Sequence, residues 1–147
     1  MFKTLKKTLL YIKQFGLLRV LSYIRSDIHM RSQITFSDSD WINSKCREQD
    51  SKERIVAIIG AGRFAFSTIA YFLNKHNKKF LRCVFSPGKS KAVSLCKYFN
   101  GLYVPSDWRD ILNDEKIKLV YIASPAETHA EYAVACIKAG KNVYIEK

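Results

Sequence analysis

The chain has 147 residues, 48% hydrophobic and 26% charged, enough to bury one sizeable core but not two. Its formal net charge of +12 favours anionic partners: a phosphate-bearing cofactor, an acidic membrane surface or nucleic acid. Nucleic acid is disfavoured, because the lysines are scattered and no helix-turn-helix, zinc or RNP-like pattern is present.

Residues 1–31 read as a basic amphipathic helical extension in two parts. Phe2, Leu5, Leu9 and Ile12 recur at helical spacing, as do Leu17, Leu21, Ile24 and Ile28. The second stripe is rotated by roughly a third of a turn from the first. Gly16 lies between them and costs about 1 kcal/mol of helix propensity relative to Ala. A bend or break there would bring both stripes onto one surface. Lys6, Lys7, Lys13, Arg19 and Arg25 supply the basic charge. Two readings stay open: the stripes pack on the domain or a partner, or the segment lies on an anionic membrane surface. Lys13 interrupts the apolar run too early for a secretory leader, and no stretch reaches the length of a membrane span. Cys46, Cys83, Cys96 and Cys136 are far apart, with no C-x-x-C pair and no nearby His cluster, so no metal site is expected. Cys83, Cys96 and Cys136 read as small buried hydrophobes. Free thiols without a leader imply a reducing, cytoplasmic setting, peripheral to the membrane if the basic helices engage it.

Residues 32–53 lose the apolar periodicity and read as a linker. From residue 54 strand and helix patterns alternate. Ile55 to Ile59 is a strand, and Arg63 to about Asn74 a helix with Phe64, Thr68, Ile69, Phe72 and Leu73 towards the core. Phe80 to Phe85 is a strand, followed by a helix burying Ala92, Val93, Leu95, Cys96 and Phe99. A short strand at Leu102 to Val104 precedes a small helix from about Asp107, and Leu119 to Ala123 is again a strand. Ser124 is placed as N-cap, Pro125 as the first helical residue and Glu127 as the capping-box partner of the next helix. Ala130, Ala133, Val134 and Ile137 would form its inner face, and Gly140 would end it. Asn142 to Ile145 closes the series. Such alternation implies an α/β Rossmann-like parallel sheet with helices on both faces, over residues 54–147.

The most informative stretch is Ile55-Val56-Ala57-Ile58-Ile59-Gly60-Ala61-Gly62-Arg63-Phe64-Ala65. A buried strand runs into a G-x-G-x-x-A turn that opens a helix. Gly60 permits the tight turn, and Gly62 lacks a Cβ that would hold phosphates away. Ala65 lets helix and strand pack closely. The free N–H groups of the first helical turn face the anion.

This turn resembles the cofactor turn of the Gfo/Idh/MocA (glucose–fructose oxidoreductase / inositol dehydrogenase) family. Ser124-Pro125-Ala126-Glu127-Thr128-His129, then Ala139-Gly140-Lys141-Asn142-Val143, then Glu146-Lys147 are similar to that family's T-P-x-x-x-H, A-G-K-x-V and E-K-P motifs. The resemblance covers about residues 54–147. It implies an N-terminal Rossmann domain holding NAD or NADP, with Gly60, Gly62, Arg63, Phe64 and Ala65 along the pyrophosphate. It puts Ser124, Pro125 and His129 on the nicotinamide side, Glu146 and Lys147 at the nicotinamide ribose and substrate, and makes Lys147 the catalytic lysine. In a complete enzyme it implies hydride transfer at a sugar-like or cyclitol hydroxyl.

Three departures qualify the resemblance. The family pattern continues beyond Lys147 with Pro and a second domain carrying an Asp/His pair. This chain is therefore expected to bind dinucleotide without turnover, unless a missing catalytic domain or partner chain joins it. A truncated reading frame or a non-catalytic cofactor-binding or membrane-surface protein is the alternative. Ser86 stands where an acidic residue would bond the adenosine ribose, and with Lys89 and Lys91 nearby it favours NADP over NAD. Ala126 replaces a frequent Asn.

Overall fold

The computed structural model describes residues 2–32, 41–42 and 52–146. Cys46 and Lys147 lie outside them. The chain opens with α1 (Phe2–Phe15) and α2 (Leu17–Met30), separated at Gly16, whose φ of 83° breaks the helix where the sequence predicts. Then come β1 (Trp41–Ile42) and β2 (Val56–Ile59). Next is α3 (65–76), a π-helical stretch Ala65–Ala70 that continues as an α-helix over Tyr71–His76. β3 (Leu81–Phe85), α4 (Lys89–Tyr98), β4 (Tyr103–Val104) and α5 (Asp110–Asn113) lead to β5 (Leu119–Ile122). A 3-10 turn at Ala126–Thr128 precedes α6 (His129–Lys138), and β6 (Asn142–Ile145) follows.

The sheet order is β1-β4-β3-β2-β5-β6. Five strands run parallel, as the Rossmann reading requires, and β1 joins antiparallel through Trp41↔Val104 and Ile42↔Tyr103. That edge strand lies within residues 32–53, which the sequence reads as a linker. Val56 and Ile58 enter the core beneath α3 and α4, while Ala57 and Ile59 enter the core beneath α5 and α6. Burial on both faces accounts for the unbroken apolar run.

The predicted core face of α4 is correct, with Ala92, Val93, Leu95, Cys96 and Phe99 all buried. In α3 Ile69 is buried and Leu73 packs on the core as predicted, but Ala65, Phe66 and Ala70 complete the inner face while Phe64 and Phe72 are exposed. The π-helical i→i+5 bonding shifts the phase that a regular α-helix would have. The same kind of correction applies to α6. Tyr132, Ala133 and Cys136 are buried, whereas Ala130, Val134 and Ile137 are exposed. Pro125 is extended (φ −56°, ψ 143°), and the 3-10 turn delays the α-helix to His129. The predicted capping box does not form, since no side chain caps either segment. Gly140 ends the helix as predicted, at φ 73°, with Gly140 N bonded to Ile137 O and Lys141 N to Cys136 O.

α2 packs on α3 and α4 with its faces reversed relative to a usual surface helix. Ser22, Ser26 and His29 are buried, whereas Leu17, Ile24 and Ile28 of the predicted stripe are exposed. The apolar stripe therefore does not face the domain. Every buried polar group on the seam has a partner, as burial demands. Arg19 donates to the Ser67 carbonyl and to Thr68 Oγ1 (3.0 Å), Ser22 donates to the same carbonyl (3.3 Å), and Ser26 donates to Tyr23 O (2.6 Å). The His29 ring stacks on Phe66, with centroids 4.5 Å apart, and is 2% exposed. A carbonyl can only accept, so Nε2–H donates to Ala61 O (2.8 Å), and in the neutral ring Nδ1 accepts from the Ser94 hydroxyl (3.0 Å).

Burial lowers the His29 pKa against the opposing pull of the Ala61 carbonyl, and Lys91 lowers it further. The unfolded chain then takes up this proton first as pH falls through about 6.5. The stability from neutral His29 is full above that value and lost below it. His29→Phe, which keeps the stacked ring but orphans a buried carbonyl, is expected to cost about 1–3 kcal/mol at neutral pH. The gap between variant and parent should narrow below about pH 6.5, as read by urea unfolding at two pH values.

Candidate functional site: the rim of the parallel sheet

Four parallel strands end level with one another. Ile59 pairs with Phe85 and with Ile122, and Ile122 pairs with Ile145. Three backbone bonds carry the alignment one residue further: Gly60 N to Phe85 O (2.8 Å), Ala123 N to Ile59 O (2.8 Å) and Glu146 N to Ile122 O (3.0 Å). The strand ends thus deliver Gly60, Ser86, Ser124 and Glu146 to one rim. The chain leaves β2 towards β3 and β4, then returns to lay β5 on the other side of β2. The crevice between β2 and β5 is the position where open parallel sheets take their ligands.

The two glycines at this point differ. Gly60 has φ 100°, and a Cβ there would lie 2.4 Å from Ala123 O and 2.7 Å from Ser124 N. Only glycine lets the two loop backbones meet. Around Gly62 a Cβ would meet nothing within 4 Å. The space beside Gly62 is one that a Cβ would enter and the protein leaves open, which fits a phosphate approaching the backbone. Ala65 is fully buried against the strand, the close packing that its small side chain allows. Arg63 and Phe64 are already helical ahead of Ala65 and Phe66 N bonds Gly62 O (3.1 Å), so the N–H groups without an earlier helical carbonyl are those ahead of Phe66, where the helix dipole adds a positive end.

The other predicted residues are disposed as follows. Ser86 is half-buried just past β3, with Lys89 exposed and Lys91 half-buried at the start of α4. Phe64 is exposed beside the turn. Arg63, expected along the pyrophosphate, is paired with Asp27 of α2. That pair is half in solvent and contributes little stability by itself. His129 Nε2–H donates to Ser124 O (2.7 Å), pinning the ring against the loop after β5. Thr128 Oγ1 donates to Pro125 O (2.7 Å) and contacts Ser124 Oγ at 2.7 Å, while Pro125 is exposed. The structure therefore brings Gly60 and Ser124 into contact, with Ser86 and Glu146 on the flanking strand ends. Lys147 adjoins Glu146 in sequence but lies outside the described residues.

Sequence reasoning missed Asp27 and His29 at the glycine turn. Their only signal is polarity on a helix, which ordinarily marks a solvated face. Cys83 and Cys136 offer no thiolate here. Burial pushes the Cys83 thiol up to about 12, and burial also raises Cys136 against the pull of Lys141.

A parallel sheet with a glycine turn at its switch point and an open backbone at the start of α3 defines a dinucleotide-binding Rossmann domain. Residues 54–147 match the Gfo/Idh/MocA profile, described as an oxidoreductase family with an NAD-binding Rossmann fold. The chain belongs to this family. It is 32% identical over 92 residues to the oxidoreductase YhhX of Escherichia coli, covering 62% of this chain and 26% of that protein. It is 29% identical over 92 residues to inositol 2-dehydrogenase 2 of Saccharopolyspora erythraea, covering 63% of this chain and 27% of that one. Among solved structures, levoglucosan dehydrogenase in complex with NADH and L-sorbose superposes with a TM-score of 0.53 at 30% identity, covering 64% of this chain and 27% of that chain. The chain thus spans about a quarter of the length of the curated relatives it matches.

The two glycines predict opposite outcomes in unfolding experiments. Gly60→Ala must hold a left-handed backbone and collide with Ala123, so a loss above about 3 kcal/mol or failure to fold is expected. Gly62→Ala should stay within about 0.5 kcal/mol of the parent.

Proposed function

We propose that this domain holds NAD or NADP across the β2/β5 crevice, with the pyrophosphate on the turn from Gly60 to Ala65. The observation that supports this most directly is the unfilled space at Gly62 beside the sterically locked Gly60. Ser86 would receive the adenosine ribose, and its hydroxyl, with Lys89 and Lys91 close in sequence, suits a 2′-phosphate better than an acidic residue would. NADP is therefore the preferred cofactor. Ser124, Pro125 and His129 would border the nicotinamide, and Arg63 and Phe64 would flank the phosphates. Arg63 can serve there only by leaving Asp27 or by sharing its guanidinium.

The substrate class we propose is a sugar-like or cyclitol carbinol, in keeping with relatives named for inositol and levoglucosan. Bound at the rim, a nicotinamide dinucleotide would supply the hydride-accepting centre for oxidation of the carbinol to a carbonyl. On this chain Lys147 would take up the hydroxyl proton and Glu146 would hold the nicotinamide ribose. Held against the loop by its hydrogen bond to Ser124 O, the His129 ring would stand as a wall of the site. Residues outside this chain would complete the substrate pocket, so the 147-residue chain should bind dinucleotide without turnover.

Fluorescence titration of the 147-residue chain with NADH and NADPH tests both levels. Gly62→Ala should weaken binding at least about tenfold, or 1.4 kcal/mol, with the fold intact. Affinity unchanged in that variant would remove the phosphate from the turn. Ser86→Asp should shift the preference towards NADH by at least about fivefold, whereas a parent that favours NADH would refute the NADP assignment. Oxidation of inositol by the chain alone would overturn the expectation of no turnover.

A further inference from the structure

The two N-terminal helices present a surface that the cofactor site does not explain. Because α2 is fastened through its polar side, Leu17, Ile24 and Ile28 point away from the domain, while Val20, Leu21 and Met30 are half-buried. Ile28 is 68% exposed, and Leu17 and Ile24 are also exposed; Leu18, on the Ser22 side of the helix but one turn ahead of the contact, is 71% exposed. On α1, Leu9 and Leu10 are exposed too. Nothing among the described residues covers these side chains. Single exposed leucines are ordinary, but this many on two consecutive helices form a surface that calls for a partner.

Charge selects the partner. Residues 1–31 carry seven Lys or Arg against one acidic residue, Asp27, which is already paired with Arg63. Lys7, Lys13 and Arg31 are exposed around the apolar surface. Two copies meeting through this surface would bring like charges together without a compensating acid. An anionic lipid surface complements both features at once: its headgroups attract the basic residues, and its acyl boundary accepts the leucines and isoleucines. Tyr11 and Tyr23, also exposed, have the apolar ring and polar tip favoured at that depth. Each helix has 14 residues, about 21 Å, too short for a hydrocarbon core of about 30 Å. No helix of the described residues is long and apolar enough to cross a membrane.

We propose that α1 and α2 form a docking surface for an anionic lipid bilayer, lying in its interface and holding the dinucleotide domain against the membrane face. The attachment is electrostatic and hydrophobic together, so neither a neutral bilayer nor high salt sustains it.

The test is co-sedimentation of the 147-residue chain with vesicles of phosphatidylcholine alone and of phosphatidylcholine mixed with phosphatidylglycerol. Binding to the anionic vesicles should exceed that to neutral ones at least about tenfold, and should collapse between about 0.05 and 0.5 M salt. The double substitution Leu18→Ser/Ile28→Ser, at exposed positions, should reduce it at least about fivefold with the circular dichroism spectrum unchanged. Lys7→Glu/Lys13→Glu should do the same through charge. Equal binding to both vesicles, no binding, or binding indifferent to these substitutions overturns the proposal. So does a dimer in sedimentation velocity that Leu18→Ser/Ile28→Ser dissolves, since the surface would then belong to a second copy. NADH titration run alongside keeps this result separate from the cofactor assignment, because neither variant touches the glycine turn.

Discussion

The approach of the Gly60 backbone to Ala123 and Ser124 is the constraint on which the rest of the site depends. It is possible only because β2 and β5 end in register and because residue 60 has neither a Cβ nor an aversion to positive φ. Once the two loops touch, the positions of the others follow. α3 must start beside β2, the segment from Ser124 must start beside β5, and the space between them is bounded by backbone rather than by flexible side chains. A site walled in this way changes little in shape when a ligand enters, which suits recognition of a pyrophosphate common to many dinucleotides.

The N-terminal helices add a layer outside this frame. The seam between α2 and α3 is polar, yet each of its buried groups is satisfied, so its cost of burial is offset. Its aromatic part is conventional: Phe66 sits among His29, Tyr98 and Phe99, and the seam encloses a ring that would otherwise face water. The helix is therefore fastened to the domain by geometry at a few points rather than by apolar area, and Leu17, Ile24 and Ile28 are left on the outside.

The strands were legible because a sheet covered on both faces writes itself as apolar runs, as in Val56–Ile59 and Leu119–Ile122. α4 was legible because it is a regular helix, and its predicted core residues are the buried ones. Phe64 and Phe72 were misplaced because periodicity assumes regular α-helical winding, and the π-helical stretch breaks that assumption locally. Val134 and Ile137 were misplaced for the complementary reason, a 3-10 turn ahead of the helix. β1 left no trace because two residues are too few to show alternation. In the site, Gly60 was legible because a strand that turns at once into a helix needs a residue with positive φ and no Cβ there. The engagement of Arg63 by Asp27 was not, since nothing in either residue's surroundings in sequence points to the other.

One consequence follows from the hydrogen bond that His29 donates to Ala61. The carbonyl of Ala61 and the N–H of Gly62 belong to a single planar, trans unit, so they point in opposite directions. With the oxygen held from behind by an imidazole, the amide hydrogen is turned to the front of the turn. Crankshaft rotation of that unit would break the bond to His29. Withdrawal of electron density through the amide also makes the hydrogen a better donor. The helix whose outer side carries the exposed leucines thus sets both the orientation and the acidity of an amide on the glycine turn. By the reciprocity of linked equilibria, an anion that bonds this amide strengthens the attachment of the helix in return.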